Sequence, residues 1–323
     1  MRIFLPIIFS VILISCQLKN DSANNSTSEQ SHPKKQKSAE SILAQLKKPT
    51  KDRVLVVSHR GDWRNAPENS IKAVQNCIEM GVDIVEIDVR MTLDSQLVII
   101  HDKTLNRTTS GKGKVDEWPL DSIKTLYLKN GAGGRTAHQL PTLRELMEFV
   151  KDKPILINLD KAWDYLPQTY ALLKETNTVK QGIFKGNEPI ELMKKKYGNY
   201  MDSVLYMPMV WPLNYSIYKR DSILHPIDYT KGYIENYEPI AFEVIYDQYD
   251  SSVMQNIEYM TNNNTSVWIN TLWDELCAGH TDEKALEQPD DNWGWVIEKG
   301  ANVIQTDRPQ LLLDYLREKE LHD

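Results

Sequence analysis

The stretch "DIVEIDV", residues 83–89, has the alternating pattern of a β-strand that is buried on both faces. Because side chains alternate across a strand, the valines and Ile87 share one face, whereas Glu86 and Asp88 share the other. Two carboxylates one pleat apart inside a core repel each other, so they need a cation between them or one of them must stay protonated. A divalent ion, calcium or magnesium, would supply that charge through oxygen ligands. A network with lysines or arginines of other strands is the alternative.

Short apolar runs alternate with longer helical patterns on both sides of this strand, from Arg53 to the end of the chain. The main strands begin near residues 53, 83, 154, 182, 203, 240, 266 and 302. Eight strand–helix units over about 270 residues predict an α/β fold, the (β/α)₈ TIM barrel. A doubly wound open sheet is the alternative. The barrel requires active residues at the carboxyl ends of several strands, or in the loops that follow them.

Two histidines lie at such ends. His59 closes the first strand in "VVSHRGDWRNAPENS", residues 56–70, and His101 follows the apolar run "LVII". Such histidines are often satisfied interior residues, but a pair of them can remove and donate protons near neutral pH. Arg60 adds a planar guanidinium group that suits phosphate oxygens. A structural pair between Arg60 and a carboxylate is the alternative.

The third strand ends in Asn158-Leu159-Asp160-Lys161. Asn158 and Asp160 share a face, and either of them could complete the set of oxygen ligands with Glu86 and Asp88. Asp160 is preferred because it carries charge. Lys161 is expected at the mouth of the barrel, where it would meet an anion or be solvated.

Aromatic side chains follow the fifth and seventh strands. Trp211 and Tyr215 come after one of them, and Trp268 and Trp273 lie around the other. They are expected either to bind the alcohol part of a substrate or to pack at the rim. Glu243 on the sixth strand is a candidate for a further ligand or a partner of Arg60.

The amino-terminal part of the chain predicts export and a lipid anchor. Residues 1–16 combine a basic start with an apolar run and end in Leu-Ile-Ser-Cys, which resembles a bacterial lipoprotein cleavage site at Cys16. An ordinary signal peptide or membrane anchor is the alternative. Residues 17–48 are polar and predict a flexible tether, with a short helix expected at residues 41–48. Residues 49–323 predict the folded domain. We therefore expect a protein of the cell envelope, outside the cytoplasm and attached to the membrane.

The net charge of −7 argues against nucleic acid as a partner. A single small anionic substrate remains compatible with this charge, because a site can be locally positive.

The chain resembles the glycerophosphodiester phosphodiesterases, as a lipoprotein member of that family. The matching stretches are "HRGDWRNAPENS", "GVDIVEIDVRMTLDSQLVIIHD", "LNRTTSGKGKV", "LPTLRELMEFV" and "GANVIQTDRP". This resemblance implies a TIM barrel with an insertion after the second strand, here residues 102–153. It also implies the metal-dependent hydrolysis of a glycerophosphodiester to glycerol phosphate and an alcohol.

The resemblance assigns roles to individual residues. His59 and His101 match the acid–base pair, Arg60 the phosphate-binding arginine, and Glu86 and Asp88 two metal ligands. Glu68 and Asn69 match the motif that shapes the first loop.

The third strand departs from the family pattern Glu-x-Lys. This leaves Asn158 or Asp160 as the third ligand, and Lys161 as the candidate phosphate contact. Two further hypotheses are a cyclising phospholipase-D-like lyase and a lipid-anchored protein that binds phosphodiesters without turnover.

Overall fold

A closed barrel of parallel strands forms the centre of the fold. The computed structural model describes residues 37–213 and 224–323. The strands in these residues are β1 (Leu55–His59), β2 (Ile84–Met91), β3 (Leu97–Ile99), β4 (Tyr127–Lys129), β5 (Arg135–Gln139), β6 (Leu156–Asp160), β7 (Gly182–Gly186), β8 (Leu205–Val210), β9 (Phe242–Val244), β10 (Val267–Asn270) and β11 (Val303–Thr306).

Helices lie between the strands of the barrel. Those in the described residues are α1 (Ala39–Lys47), α2 (Ile71–Met80), α3 (Leu120–Ile123), α4 (Leu143–Val150), α5 (Leu166–Thr176), α6 (Ile190–Met201), α7 (Pro226–Asn236), α8 (Met254–Asn262), α9 (Asp282–Ala285), α10 (Trp295–Glu298) and α11 (Pro309–Glu318).

The order of the strands confirms the predicted TIM barrel. Strands β1, β2 and β6–β11 form one parallel sheet in which β1 pairs with both β2 and β11. This pairing closes the sheet, so the open-sheet alternative is wrong. Each barrel strand therefore sends alternate side chains inward and outward.

The alternation separates two apolar layers. Outward residues such as Val85, Ile87 and Val89 pack beneath the helices in the largest core cluster. Inward residues at the amino-terminal ends of the strands form a second cluster inside the barrel, with Leu55, Ile84 and other members contributed by most of the strands. The inward positions nearer the carboxyl ends are polar, and these positions form the site.

Helix α1 closes the amino-terminal end of the barrel. It begins with a capping box in which Ser38 and Ser41 exchange side-chain and backbone hydrogen bonds. Ile42 and Leu46 are buried and belong to the inner apolar cluster. The helix lies within residues 17–48, which were predicted to be a tether, and the folded unit begins at Lys37 instead of residue 49. A short helix was expected over residues 41–48, but its two buried side chains in a polar segment give too weak a signal to assign it to the folded domain.

The insertion after β2 is smaller than predicted. Strand β3 pairs antiparallel with β2, and the β4–β5 hairpin and α3 follow it around an apolar cluster of their own. Helix α4, which was included in the predicted insertion, instead packs in the outer core through Leu143 and Met147. It is therefore one of the barrel's own helices.

The predicted signal peptide, Cys16 and most of the tether lie outside the described residues. Within the described part of the chain, no helix is both long and apolar enough to cross a membrane.

Replacing Leu46 with alanine tests whether α1 is part of the fold. The Leu46 side chain is 0% exposed, so we expect its truncation to lower the free energy of unfolding by about 3 kcal/mol. Urea denaturation of the full chain measures this change. Lys47→Ala, on the exposed face of the same helix, is the control and should change stability little. Equal stability of the two variants would show that α1 does not stabilise the barrel.

Candidate active site

The polar inward positions of the barrel strands meet at one end of the barrel, at the carboxyl ends of these strands. Parallel pairing places Glu86 of β2 beside both His59 of β1 and Asn158 of β6, and it places Asp88 beside Asp160. Residues distant in sequence thus become neighbours, as expected for the active end of such a barrel.

Three carboxylates form a compact group. Oxygen atoms of Glu86, Asp88 and Asp160 lie within 4.8 Å of one another, so the third strand contributes through Asp160, as preferred from the sequence. Asn158 is fully buried, and its Oδ1 has no hydrogen-bond partner among the described residues. Burial and the neighbouring charge of Asp88 raise the pKa of Glu86, because two adjacent carboxylates resist ionising together.

Two lysines balance this negative charge. The Lys161 ammonium contacts Asp88 Oδ1 and lies 3.2 Å from Asp160 Oδ2. Lys185 of β7 is buried, with Nζ 3.1 Å from Glu243 Oε2 and 3.6 Å from Asp160 Oδ1. Burial alone would raise the pKa of Asp88, but the charges of Lys161, His101 and Arg60 together outweigh burial and lower it. The network of lysines that was considered as the alternative to a cation is therefore present in part.

The His59 ring is held on both sides. Its Nδ1 donates to Asp307 Oδ1 at 2.8 Å, and its Nε2 accepts from Arg60 Nε at 3.1 Å. Burial by itself lowers the pKa of His59, but the hydrogen bond to Asp307 and the charge of Glu86 raise it above its usual value. Asp307 follows β11 and His59 ends β1, so the first and last strands of the barrel together form the environment of the His59 ring.

A carboxylate also holds Nδ1 of the His101 ring. Its Nδ1 donates to Asp102 Oδ1 at 2.8 Å, and Asp102 in turn accepts two hydrogen bonds from Arg107. Burial lowers the pKa of His101, and the charges of Lys161 and Arg60 add to this effect against the opposite effect of Asp88. The environments thus displace the pKa values of the two histidines in opposite directions.

Arg60 lies between the carboxylates and the pocket. It has a positive φ of 55°, which turns its backbone N–H toward Glu86 Oε2 at 3.0 Å. Its guanidinium group lies 3.2 Å from Glu68 Oε1 and 3.7 Å from Asp88 Oδ2. The predicted structural pairing of Arg60 is therefore observed, in a position that also faces the pocket.

The Pro-Glu-Asn motif supports the site directly. Glu68 also accepts hydrogen bonds from both terminal nitrogens of Arg107. Asn69 donates from Nδ2 to Asp88 Oδ2 at 2.9 Å and accepts at Oδ1 from the Asp88 backbone N–H. Asn69 of this motif therefore fixes the orientation of the Asp88 carboxylate. The Glu68 carboxylate contacts both Arg60 and Arg107.

Asp282, the first residue of α9, supports Asp307. Its Oδ2 accepts the backbone N–H of Asp307 at 2.7 Å, and its Oδ1 accepts from Thr271 and from Trp293. Burial raises the pKa of Asp282 to about 6 despite these hydrogen bonds. This buried carboxylate holds the segment that orients His59.

A pocket of about 340 Å³ opens beside His59 and Arg60. Trp63 and Trp273 form aromatic walls, and the Trp63 Nε1 donates to Asp307 Oδ1 at 2.7 Å. The remaining lining residues are Glu68, Arg107, Thr108, Lys129, Asn130, Gly131, Gly133 and Asp307. Several of them come from the insertion, which therefore forms one side of the pocket.

The structure corrects one of the two predicted substrate-binding tryptophans, Trp268. Trp268 is 0% exposed in the inner apolar cluster, and its Nε1 donates to Asn270, so it fills the barrel below the site. The prediction relied on its inward position, but this side chain lies in the apolar layer, one layer below the polar residues of the site. Trp211 packs against a small apolar cluster that includes Met209 and Ile245. Tyr215 lies outside the described residues.

Several site residues were missed in the sequence. Lys185 occupies an inward position, which strand alternation alone could have identified. Asp102 follows a predicted histidine directly, and Asp307 directly follows the last strand within a recognised motif. Glu243 faces inward as expected, but its partners are Lys185 and Asn270.

Comparison with known proteins identifies similar sequences. Residues 59–199 match the glycerophosphoryl diester phosphodiesterase family, and residues 206–316 match a domain of unknown function. A glycerophosphodiester phosphodiesterase of Caldanaerobacter subterraneus subsp. tengcongensis is 43% identical over 109 residues. This match covers 33% of the present chain and 45% of the relative, so the chain spans less than half of its length.

Solved structures share the fold at low sequence identity. A glycerophosphoryl diester phosphodiesterase from Parabacteroides distasonis superposes with a TM-score of 0.69 at 21% identity, covering 87% of this chain and 92% of that one. An Oleispira antarctica phosphodiesterase, solved with the product sn-glycerol-3-phosphate, gives a TM-score of 0.59 at 19% identity. The coverages in that case are 87% and 99%.

Replacing Asp307 with asparagine tests the contact that holds His59. We expect the pKa of His59 to fall, because the hydrogen bond and the charge that stabilise its protonated form are lost. Histidine NMR titration measures the change. His101 is the internal control, because its carboxylate partner is Asp102. An unchanged His59 titration would show that Asp307 does not set its protonation.

Proposed function

We propose that this chain, which belongs to the glycerophosphodiester phosphodiesterase family, hydrolyses glycerophosphodiesters to glycerol phosphate and an alcohol. The main support is the convergence of both histidines, an arginine and three carboxylates at one end of the barrel. Phosphodiester hydrolysis needs such a combination, because the substrate is an anion that repels a nucleophile.

Arg60 is proposed to bind the phosphate. Its guanidinium group borders the pocket and is already oriented by Glu68. A fixed guanidinium offers two parallel donors to phosphate oxygens and costs little reorganisation when the substrate binds.

The three carboxylates are proposed to hold a divalent cation, calcium or magnesium. Glu86, Asp88 and Asp160 are the hard oxygen donors that these ions prefer, and Asn158 adds a buried oxygen on the same strand that has no partner in the described residues. When bound, the cation offsets the charge of the phosphate and of the transition state.

The two histidines are proposed to carry the acid–base chemistry. In each ring a carboxylate holds Nδ1, Asp307 for His59 and Asp102 for His101. This fixes the tautomer and assigns proton transfer to Nε2, which in His59 must first lose its hydrogen bond from Arg60 Nε. One histidine deprotonates the nucleophile, either water or the neighbouring glycerol hydroxyl, and the other protonates the leaving alkoxide.

The pocket between Trp63 and Trp273 is proposed to receive the alcohol. Trp273 is 45% exposed, and its ring centroid lies 6.3 Å from that of His59, so it offers an accessible apolar face next to the reacting bond.

Turnover of glycerophosphodiesters by the purified protein tests this function. We expect His59→Ala and His101→Ala each to lower kcat/KM by about 100-fold or more, because a general acid or base contributes at least this much. A chelator should abolish turnover, and calcium or magnesium should restore it. The control is His138→Ala, which removes an exposed histidine of β5 and should leave the rate unchanged.

Different results would support the other hypotheses. A cyclic phosphate as the final product would indicate the lyase reaction. Binding of glycerophosphodiesters without turnover would contradict the proposed activity and indicate a binding protein.

Attachment of the protein to the bacterial envelope through a lipid on Cys16 is also proposed, from the sequence of residues 1–16. We expect the full chain to incorporate labelled palmitate in a bacterial host and to fractionate with membranes. Cys16→Ser should abolish both, and Cys77→Ser, at a buried thiol of α2, is the control. Incorporation that persists in Cys16→Ser would contradict the anchor.

A further inference from the structure

The ammonium of Lys161 contacts two of the three carboxylates proposed to bind the cation. It donates to Asp88 Oδ1 and lies 3.2 Å from Asp160 Oδ2. The Oδ2 atom of Asp88 already accepts from Asn69. Lys161 therefore uses oxygen atoms that a cation bound to these carboxylates would also need.

The backbone directs Lys161 into this position. Its φ of 62° is in the left-handed region, which costs a lysine conformational energy. Its backbone N–H donates to Asp160 Oδ1 at 2.9 Å, so Asp160 holds both the main chain and the side chain of Lys161. The inward position of the ammonium is therefore built into the turn after β6.

Lys185 is more deeply buried than Lys161. Its side chain is 5% exposed and pairs with Glu243, whereas the Lys161 side chain is 18% exposed and lies at the open end of the barrel. One counter-charge is thus enclosed inside the barrel, whereas the other reaches solvent at its open end. An ammonium and a divalent cation at the same oxygens would also repel each other strongly in this partly buried place.

We propose that Lys161 and the divalent cation compete for Asp88 and Asp160, so that cation binding releases the ammonium toward the substrate phosphate. This inference rests on the proposed function, because it requires a cation at these carboxylates. It gives Lys161 two positions. In one it holds the carboxylates together, and in the other it contacts the phosphate.

The affinity for calcium and for magnesium alone tests the competition. Titration calorimetry compares the wild-type protein with Lys161→Met and with Lys161→Gln, which retains a polar end in case the methionine variant folds poorly. Both variants should bind the cation about tenfold more tightly or better, because a charge-assisted contact no longer has to be broken. Lys103→Met removes an exposed lysine after His101 and should leave the affinity unchanged.

Chemical labelling tests the release itself. An amine-reactive acetylating reagent modifies lysines according to their accessibility, and mass spectrometry measures each site. Saturating calcium or magnesium should increase the acetylation of Lys161 severalfold relative to Lys103 in the same sample. Removal of a positive charge could tighten cation binding without any movement, so this second measurement separates release from a simple charge effect.

The outcomes are distinguishable. Tighter cation binding by both Lys161 variants together with increased labelling supports the inference. Unchanged or weaker cation binding by these variants, or unchanged labelling of Lys161, overturns it while turnover of glycerophosphodiesters leaves the proposed function in place. A wild-type protein that binds no divalent cation overturns both the inference and the metal part of the proposed function.

Discussion

The site depends on one constraint, which is that a closed parallel barrel must place every second residue of each strand inside. Apolar residues fill the inner positions near the amino-terminal ends, and Trp268 is the largest of them. The positions above them carry buried carboxylates, of which Glu86 and Asp88 are nearly inaccessible to solvent. Such a layer is stable only if positively charged groups balance the buried carboxylates. Charge balance therefore determines which side chains can occupy the rest of the site.

Charged contacts connect the parts of the site into one network. Arg60 pairs with Glu68, Glu68 pairs with Arg107, and Arg107 pairs with Asp102, which holds His101. Arg60, which borders the pocket, and His101 are thereby positioned by the same set of contacts. A change in any member alters the field at the others, so effects of substitutions within this network should not be additive.

Sequence patterns predicted the barrel and its central residues because both follow from periodicity. Alternation in β2 identified the inward carboxylates, and strand ends identified His59 and His101. Alternation does not show how deep inside the barrel a side chain lies, which is why Trp268 was predicted to bind the substrate. It also could not reveal long-range partners such as Asp307 for His59, since their contact requires the closure between β1 and β11.

The third strand shows how charge balance can be kept when a pattern changes. The Glu-x-Lys pattern expected from the family resemblance would place one acid and one base inside the barrel, whereas this chain has Asn158 and Asp160 at those inward positions. The positive charge absent from these positions is supplied by Lys161, through an unusual backbone turn, and by Lys185 from the neighbouring strand. Because charge balance constrains the total and not the position of each charge, carboxylates and counter-ions can exchange strands while the barrel is unchanged. The identity of a single strand residue is therefore a weaker guide to the site than the summed charge of the inner layer.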